Sequence, residues 1–170
     1  MHNSKVSYHS IKKKYLKFLK SQEVVSEPFR DKLGQLNNFF LPISNKIHRN
    51  YLNNKKTKII GLTGGQGSGK STISQILKII LKEGFNLNTV IFSIDDFYKT
   101  LQERKIMSKK INPLFLTRGV PGTHCTSLLL KCLKNLKNKI LKNFQFQNLI
   151  NRLMTDFLKD FGKILKQNQM

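Results

Sequence analysis

Residues Gly64, Gly65, Gln66, Gly67, Ser68, Gly69, Lys70 and Ser71 fill the pattern G-x-x-x-x-G-K-[ST], and few stretches of eight residues restrict a fold so tightly. The flanks are the ones the pattern requires. A strand-like run at 58–63 precedes the glycines, and a helix-forming run at 72–82 follows them. Crowded phosphate oxygens are best met by successive backbone N–H groups, and only a chain nearly free of side chains bends tightly enough to aim them together. The helix that follows adds its unpaired N–H groups and the positive end of its dipole. In this arrangement Lys70 reaches the β and γ oxygens of a nucleoside triphosphate, and the Ser71 hydroxyl is a ligand for the Mg²⁺ that accompanies ATP. The alternative is a glycine-rich strand-to-helix turn that binds nothing.

At 170 residues the chain can form one domain with a real core plus appendages. Its 31 Lys and Arg against 9 Asp and Glu give a formal charge of +22, a balance that ordinarily points to a polyanion. Here the cations are interleaved with Leu, Ile, Phe and Asn along the whole length. No RNA-binding aromatic motif, zinc spacing or basic arm accompanies them, so no specific nucleic-acid partner is expected. Cys125 and Cys132 lack partners at metal spacing and read as free thiols of a reducing compartment, the alternative being a redox pair. The N-terminus has no apolar leader, and no run approaches the roughly 18 apolar residues of a membrane span. The expectation is a cytoplasmic protein without a membrane partner.

Along the chain, Ile11, Tyr15, Leu16, Phe18 and Leu19 mark an amphipathic helix over 4–20. Ser26, Glu27 and Pro28 read as the cap and first turn of a second helix, whose apolar face is Phe29, Leu33, Leu36 and Phe40 and which Pro42 is expected to stop. Residues 1–54 therefore read as a helical N-terminal extension, 55–140 as the N-terminal half of a nucleotide-binding core, and 141–170 as a Lys/Asn-rich tail. After the helix at 72–82, Gly84 is the expected stop. Residues 88–94, rich in β-branched and aromatic side chains, read as a second buried strand. Strand, loop, helix and strand make a βαβ unit, which implies an α/β fold with a parallel sheet. Ligands of such sheets gather at the C-terminal ends of the strands, where Asp95 and Asp96 fall.

In a chain this poor in acids, that pair stands out. A carboxylate there can take the proton of a substrate hydroxyl attacking a γ-phosphate, or hold Mg²⁺ through water. It can also simply cap the strand end.

Three segments in order carry a family resemblance: 61–72, which contains the glycine loop and ends on Thr72; Ser93-Ile94-Asp95-Asp96-Phe97-Tyr98; and Thr117-Arg118-Gly119-Val120-Pro121-Gly122-Thr123-His124. Together they resemble the plant- and fungal-type D-glycerate 3-kinases and their bacterial relatives, which stand beside phosphoribulokinase, uridine kinase and bacterial pantothenate kinase. The likeness covers about residues 40–140, and its last segment is the most specific. It implies a P-loop NTPase-like, three-layer αβα fold around a parallel sheet, with ATP and Mg²⁺ as cofactors and a small hydroxy acid as substrate. It further implies that Thr72 joins the loop in holding ATP, that Asp95 is the general base and a metal neighbour, and that Asp96, Tyr98, Arg118 and His124 line the acceptor pocket. A guanidinium such as that of Arg118 can grip a carboxylate through two parallel hydrogen bonds, though Arg118 also reads as one more surface cation. His124 either donates to the acceptor or fixes the turn before it.

The chain departs from that family in two ways. Cys125 stands where the family has Asp, which is expected to cost the pocket a carboxylate. Downstream, no acidic strand end and no further strands follow, so the sheet is expected to be incomplete. Back-translated with AT-rich codons and read two nucleotides later, residues 142–170 yield a peptide resembling the family's continuation, with a Pro-Lys-Phe-Asp-Lys stretch. The expectation is a frameshift between about 134 and 143, which sequencing of the coding DNA would decide. The leading reading is a fragment of an ATP-dependent small-molecule kinase with weak nucleotide binding and little turnover. The competing readings are a basic nucleic-acid-binding protein and an inactive ATP-binding remnant. A nucleotide-hydrolysing switch or motor lacks its acidic strand end and switch loops here.

Overall fold

In the computed structural model, residues 3–24 and 28–137 are described; the tail at 141–170 and its reading frame lie outside them. The chain divides between Ile91 and Phe92 into two compact units, each taken here by itself.

The first unit is helical. Helix α1, Asn3–Gln22, places Ile11, Tyr15 and Leu19 one turn apart on one face, all 4% exposed or less. Helix α2, Lys32–Gln35, starts at Asp31, whose left-handed backbone (φ 43°) turns the chain and whose Oδ1 accepts the Gly34 N–H at 3.0 Å. Asp31 is thus the cap of the second helix; of the expected start, Pro28 lies ahead of it, while Ser26 and Glu27 are outside the described residues. A Cβ on Gly34 would lie 2.0 Å from Asp31 Oδ2, so only glycine lets the cap seat there.

Pro42 does not stop this helix. Backbone at Gln35, Phe40 and Leu41 stays right-handed helical, a π-turn occupies Leu36–Phe40, and helix α3, Leu41–Leu52, continues. A proline inside an α-helix removes one hydrogen bond and drives its ring into the carbonyl four residues back. Widening the preceding turn relieves that crowding, and the Leu41 N–H reaches back five residues to the Leu36 carbonyl.

Helix α4, Lys70–Phe85, presents Ile76 and Ile80 to the core formed by Ile11, Tyr15, Leu19, Leu36 and Phe40. It ends at Asn86 and not at Gly84: Asn86 adopts the left-handed conformation (φ 51°), and the Leu87 N–H returns to the Leu81 carbonyl at 2.9 Å. Lys82 Nζ holds this stop through Asn86 Oδ1 at 3.1 Å and Asn88 Oδ1 at 3.0 Å. On the face that meets α1, Lys14 and Ser10 of that helix donate to the Glu83 carboxylate at 2.7 and 2.6 Å.

The parallel sheet expected from 58–63 and 88–94 is not formed among the described residues. Both runs lack strand pairing, the second ending in a short 3₁₀ turn that begins at Ile94, and Ile59, Ile60, Leu62 and Val90 remain 45–56% exposed. Parallel strands stand only when neighbours pair with them and helices cover both faces. Here α4 buries Ile76 and Ile80 against the helices of residues 3–52, so this face of α4 is committed elsewhere.

The second unit contains a 3₁₀ turn, Ile94–Phe97; helix α5, Leu101–Lys110; a 3₁₀ turn, Pro113–Leu116; and helix α6, Thr126–Lys137. Phe97, Cys125, Leu128 and Cys132 form its core, with Phe92, Leu129 and Leu136 against them. Thr100 and Glu103 start α5 with reciprocal capping bonds, 3.2 Å from the Glu103 N–H to Thr100 Oγ1 and 2.7 Å from the Thr100 N–H to Glu103 Oε2. Buried Arg104 spans from the Lys99 carbonyl, at 3.3 Å from its Nε, to the Leu116 carbonyl, tying the second 3₁₀ turn to α5.

Candidate functional site

In the first unit the glycine loop is exposed, and Gly67 and Gly69 hold φ of 78° and 76°, a region that side-chain-bearing residues enter at a cost. Gly69 is the residue from which α4 starts: its carbonyl accepts the Ile73 N–H at 2.9 Å. Ser68 N–H turns back to the Gly65 carbonyl at 3.3 Å, closing the loop on itself. Lys70 Nζ folds over it and donates to the carbonyls of Gly64 at 2.9 Å and Gly65 at 2.5 Å. No acidic residue occupies the first turn of α4, so the positive end of the helix and an ammonium group face the same exposed loop. Ser71 and Thr72 follow in that first turn. Such an arrangement suits an anion.

A cavity of about 710 Å³ opens beside it, entirely within the first unit. Ser68, Gly69 and Thr72 line it together with Phe29, Asp31, Asn38 and Phe39. These last four escaped the sequence reading of a binding site. Phe29 reads as part of a helical stripe, whereas Phe39 falls off that stripe and stays 52% exposed, with an edge contact to the core ring of Phe40.

In the second unit, four residues singled out from the sequence come together. Tyr98 and His124 form an isolated antiparallel bridge, fixed by Lys99 N–H to the Thr123 carbonyl at 2.8 Å and Cys125 N–H to the Phe97 carbonyl at 2.7 Å. Their rings stack with centroids 4.1 Å apart and planes 26° from parallel. Arg118 lies over the Tyr98 ring, its Cζ 5.4 Å from the centroid. Asp95 Oδ1 is 3.6 Å from His124 Nε2, just beyond hydrogen-bond reach, and that buried nitrogen has no hydrogen-bond partner. Partial burial and then the Asp95 carboxylate raise the Tyr98 phenol above its ordinary range, with Arg118 pulling the other way. The phenol is therefore a neutral donor at physiological pH, beside a guanidinium, an imidazole and an exposed carboxylate.

The two acids of the pair differ in what they do. Asp96 Oδ2 accepts the Ser93 N–H at 2.8 Å and closes the capping box of the 3₁₀ turn, while Ser93 Oγ accepts the Asp95 N–H at 3.2 Å. Asp95 is left 67% exposed in its side chain. Cys125, expected to mark a carboxylate lost from the pocket, is buried in the core with Phe97, Leu128 and Cys132. It stands immediately before α6, and its carbonyl accepts the Leu129 N–H at 3.1 Å, so an acid at this position would be placed to cap that helix.

A glycine turn at the start of a helix, with a lysine across the turn, can offer backbone N–H groups and a cation to an anion, and the proteins this chain is similar to are named as kinases. Over 86 residues the chain is 41% identical to "Uncharacterized kinase mug58" of Schizosaccharomyces pombe, covering 49% of this chain and 29% of that protein. It is 39% identical over 89 residues to "Probable ATP-dependent kinase TDA10" of Saccharomyces cerevisiae, 50% of this chain and 31% of that protein. It is 30% identical over 129 residues to a pantothenate kinase of Streptococcus suis, 64% of this chain and 40% of that protein. The matched stretch is thus kinase-like, and the chain spans well under half the length of these curated relatives. No family model matches the chain, and no solved structure matches it.

Proposed function

We propose that this chain is part of an ATP-dependent small-molecule kinase that transfers the γ-phosphoryl group to the hydroxyl of a small hydroxy acid, glycerate being the first candidate. The observation that carries the reading is the loop: left-handed Gly67 and Gly69 ahead of α4, with the Lys70 ammonium lying across it. Two of the relatives are named as kinases with no acceptor specified, and one acts by its name on pantothenate, itself a hydroxy acid. Arg118, beside Tyr98 and His124, suits a carboxylate acceptor, because a guanidinium binds both oxygens at once.

In this reading Gly64, Gly65, Gln66, Gly67, Ser68 and Gly69 wrap the phosphates with backbone N–H groups, Thr72 adds a donor, and Lys70 neutralises the β and γ oxygens. Asp95 takes the proton of the acceptor hydroxyl as that oxygen attacks the γ-phosphorus. The bond from the γ-phosphorus to the bridging oxygen breaks, and the bridging oxygen leaves on ADP. Ser71 and Asp95 offer hard oxygen donors of the kind Mg²⁺ takes, and among the described residues no cluster of three acidic, His or Cys side chains competes for a metal. Bound with the triphosphate, Mg²⁺ would offset its charge. Asp96, already engaged at Ser93, would shape the turn that presents Asp95.

The test is thermal unfolding with and without Mg-ATP. Saturation at about 100 times Kd is expected to stabilise the parent by about 2.7 kcal/mol. Lys70→Ala is expected to need at least about tenfold more ATP for the same shift, the loss of one charge-assisted contact. Asp95→Asn is expected to retain the shift and to lose any phosphoryl transfer the parent shows. A Lys70→Ala protein with parental ATP affinity would overturn the assignment of the loop.

A further inference from the structure

The cavity beside the loop has no role in the chemistry above, which is all phosphate and acceptor. Its walls say what it would take. Ser68, Gly69 and Thr72 make it continuous with the turn that holds the phosphates, so a group attached to those phosphates can enter without leaving the protein surface. The same hollow is lined by two phenylalanines, Phe29 and Phe39, by Asn38 and by Asp31, whose carboxylate is engaged at the Gly34 N–H. Phe39 is 52% exposed, while its neighbour Phe40, in edge contact with it at 5.2 Å, is 5% exposed. A large aromatic side chain left half in water beside a hollow keeps apolar surface that a ligand could cover. The volume, about 710 Å³, falls within the ordinary range of small-molecule sites.

We infer that this hollow holds the nucleoside end of the bound triphosphate, its base against the Phe29 and Phe39 rings and its polar edge toward Asn38. The inference rests on the loop binding phosphates and adds what selects a nucleotide over any other polyphosphate. Flat aromatic bases stack on phenyl rings whatever their identity, and a carboxamide offers both a donor and an acceptor to a base edge. Residues 29–52, the helices and the turn that leads into them, would thereby take a direct part in the nucleotide site.

The experiment compares two probes on the full chain, Mg-ATP and Mg-tripolyphosphate, by isothermal titration. The parent is expected to bind ATP about tenfold or more tighter than tripolyphosphate, the worth of one stacked base. Phe39→Ala, a change at a half-exposed position that spares the core, is expected to bring ATP down to the tripolyphosphate level while leaving tripolyphosphate within about twofold of the parent. Asn38→Ala provides a second, fold-neutral check and should weaken ATP alone. If both variants keep parental affinity for ATP and for tripolyphosphate, the base lies elsewhere and the inference is overturned with the phosphate loop intact. If the parent binds neither probe, the loop assignment itself has failed and this inference falls with it.

Discussion

Glu83 carries more of the first unit than its place near the end of α4 suggests. Its carboxylate accepts from Lys14 Nζ and from Ser10 Oγ, bridging α4 to α1. The Lys14 bond first, and then the Ser10 bond, hold the carboxyl below the usual glutamate range, with burial opposing them. A depressed value means that the stabilisation is complete above the unfolded glutamate value of about 4.3 and fades as pH falls through the folded one. Lys14 is more than half exposed, so screening by water keeps the gain small. Glu83→Gln is expected to lower stability by up to about 1 kcal/mol at pH 7, with the difference from the parent closing below about pH 4. Urea unfolding of both proteins at pH 7 and pH 3.5 reads it; an equal gap at both values would mean that the carboxylate charge is irrelevant.

Element boundaries here are decided by local backbone chemistry more than by pattern. Asn86 ends α4 in the left-handed region, a conformation Gly and Asn tolerate and Ala does not. Asn86→Ala is expected to cost about 1 kcal/mol and Asn86→Gly almost nothing, as measured by thermal unfolding, because glycine keeps the backbone and forfeits only the exposed Lys82 contact. An alanine variant as stable as the glycine variant would remove the conformational argument. The same contrast shows what could be read from the chain beforehand. Ile11, Tyr15 and Leu19 repeat at helical spacing, and the glycine loop announces the start of α4, so both helices were legible. The passage of a helix through Pro42 was not, because it depends on a π-turn that no residue pattern advertises. The runs at 58–63 and 88–94 have strand composition, yet strand composition cannot supply pairing partners. At the candidate site, the ordered segments containing Asp95, Tyr98, Arg118 and His124 singled out residues that the fold then packs together, whereas Phe29, Asn38 and Phe39 share a cavity only through tertiary structure.

For the molecule as a whole, the charge of +22 keeps one rival reading in play, a basic protein that binds nucleic acid. The two readings differ in what they ask of salt and of ATP. Duplex DNA binding by such a charge is expected to weaken steeply between 50 and 200 mM salt and to ignore Mg-ATP, whereas the kinase reading requires ATP-dependent thermal stabilisation that persists in that range. Fluorescence anisotropy with a labelled duplex, run beside the thermal series, separates them; tight duplex binding with no response to ATP would displace the kinase. The packing of the first unit has a further practical consequence. The greasy flank of the helix behind the glycine turn is upholstered by Ile11, Tyr15, Leu19, Leu36 and Phe40, each worth about 1.5–3 kcal/mol once shielded from water. A shortened gene product starting just upstream of the turn would keep the glycines and Lys70 and lose that upholstery, so the smallest piece expected to stand alone reaches back to the first helix.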